Sequence, residues 1–261
     1  MTIYVEQHGA GQDLLLLHGW GLHGGIWSPV LAELVKHYRV TVVDLPGHGR
    51  SHHESFGKDA TLTDIAKTVK EVIQGPAVWL GWSMGGMVAL AAARQWPDEV
   101  RGLILVATTP RFVVTEDWPS AVAADVLQQF GEQLASDYRR ALLRFISLQL
   151  GAGPRQRLLL KLLRAELFRF PAPSAGALES GLELLRQSDL RRQIGAIAQP
   201  ACVIHGERDR LVPVQAGRYL AQQLADATSL VIAEAGHAPF LSHPSDFMDA
   251  IQGFMSREGL A

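Results

Sequence analysis

Short, unbroken apolar runs alternate along this chain with longer segments in which apolar residues recur at helical spacing. Because strands of a parallel sheet are covered on both faces, they read as continuous apolar runs. Such runs, or weaker alternating ones, predict strands at residues 2–7, 14–17, 39–44, 77–80, 103–107, 201–204 and 229–233. The alternation predicts an α/β fold with a mostly parallel central sheet, right-handed crossovers and helices on both faces.

Two of the helices predicted between these strands have clear start signals. Ser28 is a candidate N-cap with Pro29 at the first helical position, and Thr61 is a candidate N-cap with Asp64 three residues later. The helices are expected at 28–37, at 61–74, from residue 87 to about 96, at about 214–225 and at about 245–256.

The alternation stops after residue 110. From about 111 to 190 the chain has no strand-like run and is rich in helical patterns, with turns at 151–154 and 171–173. We interpret this segment as a helical cap insertion in a single domain, whose core is formed by residues 1–110 and 191–261. Four leucines of the segment are expected to pack inward: Leu158, Leu159, Leu162 and Leu163.

Residues 81–86, with the sequence Gly-Trp-Ser-Met-Gly-Gly, lie between a predicted strand and a predicted helix. A serine at such a turn, with glycine two residues to either side, is the pattern of a nucleophile elbow. The glycines let the strained turn close, and the N–H of Met84 comes to lie at a helix N-terminus. Taken alone, the motif is also compatible with a glycine-rich turn that carries Ser83 by chance.

A serine hydroxyl needs a base near neutral pH, and His237 is the candidate. It lies in the loop after the last predicted strand, where catalytic groups of open α/β sheets gather. His243 begins the last helix and is interpreted as structural. An acid that fixes the tautomer of the base is expected after the strand 201–204, where Asp209 is favoured and Glu207 is the competitor.

Residues 19–24 fit the pattern G-x-G-x-x-G after a strand, and Asp44 ends a second strand, as in a dinucleotide-binding site. Against that function, the next helix is expected to begin after the glycines and not within them. The other interpretation is an oxyanion loop, in which the backbone N–H of Trp20 joins that of Met84. His18 would then orient the loop through hydrogen bonds.

Composition narrows the classes of function. A net charge of −2 argues against nucleic-acid binding, and no apolar run approaches the ~20 residues of a membrane span. The single cysteine, Cys202, excludes an internal disulfide framework, and no signal peptide is expected from the first residues. We expect a cytoplasmic monomer without a metal site, since the adjacent His52 and His53 point in different directions.

Together, the motifs at 18–21, 44–51, 81–86, 209 and 236–237 resemble those of the α/β-hydrolase superfamily, whose triad has the order nucleophile, acid, base. More narrowly, the chain resembles the pimeloyl-[acyl-carrier protein] methyl ester esterases of biotin synthesis. The segments that carry this narrower resemblance are 17–22, 80–83, 145–149 and 237–240. Met84 stands where leucine is more familiar, which leaves the backbone donor unchanged.

The resemblance implies a serine carboxylesterase that needs no cofactor. Ser83 would attack the methyl ester of a pimeloyl chain on acyl carrier protein, with Asp209 and His237 completing the triad. The residues implied at the oxyanion hole and acyl pocket are Trp20, Ser83, Met84, Phe145, Ile146, Ser147, Leu148 and Gln149. A broad short-chain carboxylesterase and a non-catalytic binding protein of the same fold are the alternatives.

Positive charge is concentrated in the predicted insertion. Residues 136–170 contain eight basic side chains and two acidic ones, a net charge of +6 in a chain of −2. Such a surface would steer an acidic partner to the pocket, which agrees with acyl carrier protein; a solvated basic helix face is the plainer interpretation. The residues expected to bind the partner are Arg140, Arg144, Arg155, Arg157 and Lys161.

Overall fold

The computed structural model describes residues 2–57, 59–150 and 154–260, with side chains at all of these except 149 and 154–156. Within this part of the chain, seven strands form one sheet in the order β1-β3-β2-β4-β5-β6-β7. They are β1 (Val5–His8), β2 (Gln12–Leu17), β3 (Tyr38–Val43), β4 (Ala77–Trp82), β5 (Val100–Val106), β6 (Ala201–Gly206) and β7 (Ala227–Ile232). The edge strand β1 is antiparallel to β3, and the other neighbouring pairs are parallel. The predicted α/β class and mostly parallel sheet are confirmed.

Ten α-helices lie among the described residues. They are α1 (Ser28–Leu34), α2 (Leu62–Lys70), α3 (Met84–Gln95), α4 (Ala124–Ser136), α5 (Tyr138–Leu150), α6 (Pro154–Leu167), α7 (Ala175–Gln187), α8 (Val214–Gln223), α9 (Pro239–Ser242) and α10 (Pro244–Arg257). Helices α2, α3 and α8 pack on one face of the sheet, and α1 and α10 pack on the other.

The leucine run of β2 shows why the central strands read as continuous apolar segments. Leu15 and Leu17 face the layer of α2, α3 and α8, whereas Leu14 and Leu16 face the layer of α1 and α10. All four side chains are fully buried. Alternate residues of a strand point to opposite faces, so a strand covered on both sides needs apolar residues at every position.

The register of the sheet brings the functional loops to one edge. Leu17 pairs with Val43 on one side and with Gly81 on the other, so β2, β3 and β4 end at the same level. Trp82, the last residue of β4, is level with Val106, the last residue of β5. The loops after β2, β4, β6 and β7 therefore open at the carboxyl edge, where ligands bind in open α/β sheets.

The start of α2 follows the sequence signals, whereas the start of α1 differs from them. Thr61 caps α2, and its hydroxyl and the Asp64 carboxylate form the reciprocal hydrogen bonds of a capping box. At α1, Ser28 is the first helical residue and Trp27 is the N-cap. The reason is that a 3₁₀ turn over Gly24–Trp27 runs directly into the helix, so the chain is already helical before Ser28.

Helices α4 to α7 occupy the connection between β5 and β6. Arg111 and Asp189 form an isolated antiparallel bridge, and the Arg111 guanidinium donates to the Asp189 carboxylate at 2.7 Å. These two residues lie close to the predicted limits of the insertion, so its two ends are joined where it leaves and rejoins the sheet. The predicted turn at 151–154 lies outside the described residues, apart from the start of α6.

The inward packing predicted for four leucines of α6 holds for half of them. Leu163 is buried and Leu159 is partly buried, but Leu158 and Leu162 are 60% and 62% exposed. The pair is one turn apart on the solvent side because α6 turns its Leu163 and Leu167 face toward the core. Of the helices in the described ranges, none is both long and apolar enough to cross a membrane.

Candidate active site

Ser83 occupies a strained turn between β4 and α3. Its backbone has φ 55° and ψ −119°, in the left-handed region that residues with a side chain rarely adopt. The Thr108 hydroxyl donates to the Ser83 carbonyl at 2.7 Å, and the Ser83 N–H donates to the Val106 carbonyl at 2.9 Å. Hydrogen bonds on both sides therefore hold the strained residue in place.

The flanking glycines are required by close approach of the backbone. A Cβ on Gly81 would lie 2.3 Å from the Gly85 carbonyl oxygen, and a Cβ on Gly85 would lie 2.5 Å from the Leu17 carbonyl oxygen. Both contacts are with backbone atoms that cannot move aside. The strand and the helix can cross this closely only because neither position has a side chain.

His237 and Asp209 form a buried pair at the ends of β7 and β6. His237 Nδ1 lies 2.8 Å from Asp209 Oδ2, and the other carboxylate oxygen accepts from the N–H groups of Leu211 and Val212. Burial raises the pKa of Asp209, but His237 and the other donors outweigh it and keep the pKa below its usual value. Asp209 is therefore an anion that holds the proton of His237 on Nδ1.

The structure distinguishes the two acids that the sequence leaves open. Glu207 is exposed, and its carboxylate accepts a long hydrogen bond from the Glu234 N–H at 3.4 Å. Asp209 is the acid that lies against His237. The choice follows from the hydrogen bond of Asp209 N–H to the Gly206 carbonyl, a tight turn that directs residue 209 back over the sheet edge.

Ser83 and His237 face one small cavity of about 20 Å³, together with Gly19, Trp20, Leu22 and Trp82. Ser83 is 6% exposed and His237 is 1% exposed. The remaining wall is apolar and consists of Phe112, Leu127, Phe130, Phe145, Leu185 and Leu211. The free space beside Ser83 therefore holds about one water molecule.

Two aromatic rings form the outer part of this wall. Phe130 of α4 and Phe145 of α5 pack with ring centroids 5.4 Å apart, and both are partly exposed. Phe145 also lies 6.1 Å from the His237 ring, and Phe130 lies 5.9 Å from the Trp20 ring. These two side chains therefore lie between the buried part of the cavity and the protein surface.

Two buried histidines shape the loop after β2. His18 Nε2 accepts from the Leu45 N–H at 2.9 Å, and His48 Nε2 accepts from the Gly21 N–H at 3.2 Å. Burial lowers the pKa of His18 to about 3 and that of His48 to about 4, so both rings are neutral at pH 7. The orienting role predicted for His18 agrees with these contacts, and His48 is a second such residue that the sequence did not reveal.

The backbone around Trp20 and Met84 has the character of an oxyanion hole. The hydrogen bonds found among the described residues include none from the N–H of Trp20 or from that of Met84. Their neighbours are occupied, since the Gly21 N–H donates to His48 and the Ser83 N–H to Val106. Two donors beside Ser83 are thus available for a developing negative charge.

The helices between β5 and β6 hold the same loop from the other side. The Trp20 indole N–H donates to the Leu178 carbonyl, and the Tyr138 hydroxyl donates to the Gly21 carbonyl, each at 3.1 Å. The loop that carries Trp20 is therefore attached both to the sheet edge and to α5 and α7.

Asp44 is engaged within the protein, which argues against a dinucleotide site. Its carboxylate is fully buried and accepts from the Gly24 N–H at 2.7 Å and from Arg50 Nε at 2.6 Å. Burial raises the pKa of Asp44, but the hydrogen bonds from Arg50 outweigh it and leave the pKa lowered. The carboxylate cannot reach a ribose, and α1 begins only after the glycines, so the fingerprint at 19–24 is a structural loop.

The segment 145–149 does not line the cavity as a unit. Phe145 faces the cavity, Ile146 is buried in the core on the side of the sheet that carries α1 and α10, and the Ser147 hydroxyl donates to the Leu143 carbonyl. Leu148 is 70% exposed, and the side chain of Gln149 lies outside the described residues. Successive helical residues are rotated by about 100°, so the expectation for the whole segment is corrected to Phe145 alone. The Met84 side chain is buried in the core, leaving its backbone at the site.

The basic residues fall into two groups. Arg140 and Arg144 line a surface groove of about 260 Å³ between α4 and α5, with Gln133, Ser136 and Asp137. Arg157 and Lys161 are exposed on α6, one turn apart and next to Leu158 and Leu162. The side chain of Arg155 lies outside the described residues. Within the described ranges, no cluster of His, Cys, Asp and Glu side chains could hold a metal ion.

Sequence patterns gave no signal for several residues of the site. Phe130, Phe112, Leu127 and Leu185 line the cavity, but apolar residues on amphipathic helices are read as core. The sequence identified Trp82 only as a residue of the elbow motif and did not predict that its indole N–H donates to the His237 carbonyl at 2.7 Å.

The chain matches a family model described as the alpha/beta hydrolase fold over residues 14–244. It is 45% identical to the pimeloyl-[acyl-carrier protein] methyl ester esterase of Xanthomonas axonopodis pv. citri, across 97% of this chain and 99% of the relative. It is 44% identical to the protein of the same name from Methylococcus capsulatus, across 93% and 94% of the two chains. An esterase from Exiguobacterium antarcticum superimposes with a TM-score of 0.86 at 25% identity, across 97% of this chain and 95% of that one. The chain therefore belongs to the α/β-hydrolase family and is an enzyme of the carboxylic ester hydrolase class, with full-length relatives among the pimeloyl-[acyl-carrier protein] methyl ester esterases.

Proposed function

We propose that this enzyme is a serine esterase that hydrolyses the methyl ester of pimeloyl-acyl carrier protein in biotin biosynthesis. The observation that carries the proposal is the placement of Ser83 and His237 at one narrow, mostly apolar cavity, with Asp209 bound to His237. Relatives with the corresponding name, 41–45% identical along nearly the whole chain, support the substrate. Action in the cytoplasm as a monomer is part of the proposal.

In the first half of the reaction, Ser83 is the nucleophile. Its Oγ attacks the ester carbonyl carbon while His237 takes the hydroxyl proton, and Asp209 stabilises the imidazolium that forms. The negative charge on the carbonyl oxygen is received by the N–H groups of Trp20 and Met84, each worth a few kcal/mol in such sites. The methoxy group leaves with the proton from His237 as methanol, and the acyl chain remains on Ser83.

In the second half, water replaces methanol. His237 removes a proton from the water, whose oxygen attacks the acyl carbonyl carbon. The same two N–H groups stabilise the second tetrahedral intermediate. Its collapse returns the proton to Ser83 Oγ and releases the free terminal carboxylate. The enzyme is restored with no cofactor consumed.

The small size of the cavity gives the helical insertion a role. A seven-carbon acyl chain needs far more room than the space for one water molecule beside Ser83. The substrate therefore enters by displacing Phe130 and Phe145 as α4 and α5 move apart. We assign residues 111–190 as a cap on a single domain whose core is formed by 1–110 and 191–261. The apolar wall suits a methylene chain.

The basic groups on the cap suit an acidic carrier protein. Arg140 and Arg144 line the groove between α4 and α5, the same two helices that carry Phe130 and Phe145. Arg157 and Lys161 add charge on α6, and the exposed Leu158 and Leu162 add apolar surface beside them. Such a surface steers an acidic protein and offers apolar contact once it has docked.

A broad short-chain carboxylesterase is the second candidate, and the structural similarity to the Exiguobacterium antarcticum esterase favours it. The test compares the methyl ester of pimeloyl-acyl carrier protein with monomethyl pimelate and with esters of graded chain length. We expect the carrier-bound ester to have the highest kcat/KM. Equal or faster hydrolysis of short free esters would identify a general esterase, and absence of hydrolysis and of fluorophosphonate labelling would identify a binding protein.

A further inference from the structure

A second histidine lies beside the Asp209–His237 pair. His205 is near the end of β6, and its ring is 1% exposed. Its Nε2 lies 2.9 Å from the Val212 carbonyl oxygen and 3.5 Å from Asp209 Oδ2. The His205 ring takes no part in the proposed reaction, although its Nε2 is in contact with the Asp209 carboxylate.

The contacts of His205 fix its protonation state. A carbonyl oxygen can only accept, so Nε2 carries the proton and donates it to Val212. Nδ1 has no hydrogen-bond partner among the described residues and faces Gly217 of α8, where a Cβ would lie 2.4 Å away. Burial lowers the pKa of His205, so the ring is neutral and its single N–H points into the Asp209–Val212 turn.

That turn sets the position of the Asp209 carboxylate. The Val212 N–H donates to Asp209 Oδ1 at 2.9 Å, while the Val212 carbonyl accepts from His205. Val212 is thus held from both sides, by the carboxylate and by the strand. Without the hydrogen bond from His205 to the Val212 carbonyl, the turn keeps its local hydrogen bonds but is no longer attached to β6 through the His205 ring.

We propose that His205 is a positioning residue, whose Nε2–H anchors the Asp209–Val212 turn and thereby holds the Asp209 carboxylate against His237. The proposal rests on the roles assigned above to Asp209 and His237. In the described part of the chain, the titratable groups that face Asp209 are His205 and His237. The charged neighbours on the same loop, Glu207, Arg208 and Arg210, are exposed to solvent.

The test uses two variants of similar length, His205→Met and His205→Gln. The glutamine amide can present an N–H near the position of Nε2, whereas the thioether cannot donate. With a small soluble ester, we expect His205→Met to lower kcat about 10–100-fold with little change in KM, as for other small misplacements of catalytic groups. The acidic limb of the kcat/KM profile should move to lower pH, because a displaced carboxylate stabilises the imidazolium less. His205→Gln should recover most of both effects.

Cys202→Ala is the matched control, because it lies three residues earlier on β6, is buried and is remote from the turn. It should reduce stability without moving the pH profile. Gly217→Ala gives a second route if His205→Met does not fold, since its Cβ would press on Nδ1 while leaving the histidine chemistry intact. It should lower kcat in the same way as His205→Met.

Equal losses in the methionine and glutamine variants would overturn the proposal, as would an activity loss that follows the melting temperature and leaves the pH profile unchanged. The NMR resonance of the His237 Nδ1 proton adds a readout that needs no turnover. It should persist in the wild type and in His205→Gln, and shift or broaden in His205→Met. An unchanged resonance in all three would reject the positioning role, whatever ester the enzyme hydrolyses. If the enzyme hydrolyses small esters but not the carrier-bound ester, the proposed substrate is overturned and the positioning role of His205 is not.

Discussion

The indole N–H of Trp82 donates a hydrogen bond of 2.7 Å to the backbone carbonyl of His237. The two rings also pack, with centroids 5.5 Å apart. Trp82 immediately precedes Ser83, so the residue next to the proposed nucleophile also holds the loop that carries the proposed base. The loops that carry Ser83 and His237 are thus tied together by a hydrogen bond that involves neither the Ser83 hydroxyl nor the His237 ring.

Trp82→Phe removes this hydrogen bond while keeping an aromatic ring in the core. We expect kcat to fall about fivefold, because a loss of about 1 kcal/mol in holding the His237 loop corresponds to that factor. Trp79→Phe is the control, since Trp79 is equally buried in β4 and its indole nitrogen has no partner among the described residues. That variant should lose stability but keep kcat. Matching losses of kcat in the two variants would show that only packing matters.

Ser83→Ala should reduce hydrolysis of every ester by at least about 10⁴-fold, because no other hydroxyl lines the cavity among the described residues. A fluorophosphonate probe should label the wild-type protein at Ser83 and leave the variant unlabelled. Ser147→Ala, on α5, should leave labelling and activity intact, since that hydroxyl is bound within its own helix. Labelling that survives in Ser83→Ala would contradict the assignment of the nucleophile.

Charge reversal at the groove, Arg140→Glu with Arg144→Glu, should lower kcat/KM for the carrier-bound ester by about tenfold or more. The loss should shrink at high salt, and kcat/KM for monomethyl pimelate should change little. Arg218→Glu, exposed on α8 and outside the groove, is the control. Equal losses with both substrates would point to damage in the pocket and not to impaired docking.

Phe130→Ala opens the outer wall of the cavity. We expect KM for free esters of medium chain length to fall several-fold, because the ring no longer has to move aside, and the preference for the carrier-bound ester should weaken. Phe168→Ala, also partly buried in the cap but outside the cavity wall, should leave these values near wild type. A rise in KM for free esters in Phe130→Ala would instead assign Phe130 to substrate binding.

The buried histidines predict how stability depends on pH. The unfolded chain has histidines with a pKa of about 6.5, whereas burial lowers the pKa of His48 to about 4. Between these values the unfolded state binds the extra proton, so stability is full above pH 6.5 and is lost as the pH falls toward 4. The expected slope for His48 is about 1.4 kcal/mol per pH unit.

His48→Gln tests that slope, because the amide can still accept from the Gly21 N–H but does not titrate. Urea unfolding at pH 7.5, 6 and 5 should show a shallower loss of stability in the variant than in the wild type. Parallel curves would mean that His48 does not stay neutral in the fold. At pH 5 and above most carboxylates of the unfolded chain are ionised, since their pKa values are about 3.9 for Asp and about 4.3 for Glu, so their contribution to the slope is small.

Much of the geometry of the candidate site could be predicted from sequence because its requirements are local. Gly81 and Gly85 lie so close to neighbouring backbone that only glycine fits, which produces the glycine pattern of the motif. The apolar runs predict the strands, and the ends of these strands bring Ser83, Asp209 and His237 to one edge of the sheet. These constraints act within a few residues of the chain. They leave a signature that needs no knowledge of the rest of the fold.

The cap was predictable as helical but not in its contacts. Leu158 and Leu159 are adjacent and chemically identical, yet one is exposed and the other packs on the core. Their difference is set by how α6 is rotated against α1 and the 3₁₀ turn before it, which no local pattern encodes. The choice between Asp209 and Glu207 likewise depended on a turn whose shape is fixed by contacts from β6.

The hydrogen bonds of the Trp20 loop to the cap have a consequence for the timing of each turnover. The Tyr138 hydroxyl on α5 and the Leu178 carbonyl on α7 hold this loop, and α5 is one of the two helices proposed to part when an ester enters. When the helices part, the Trp20 loop loses a hydrogen bond that holds the backbone N–H proposed to receive the negative charge. When they close again, that hydrogen bond re-forms. Substrate entry and ester cleavage therefore occur in different conformations of the enzyme. An ester that binds only while the helices are apart dissociates without being hydrolysed.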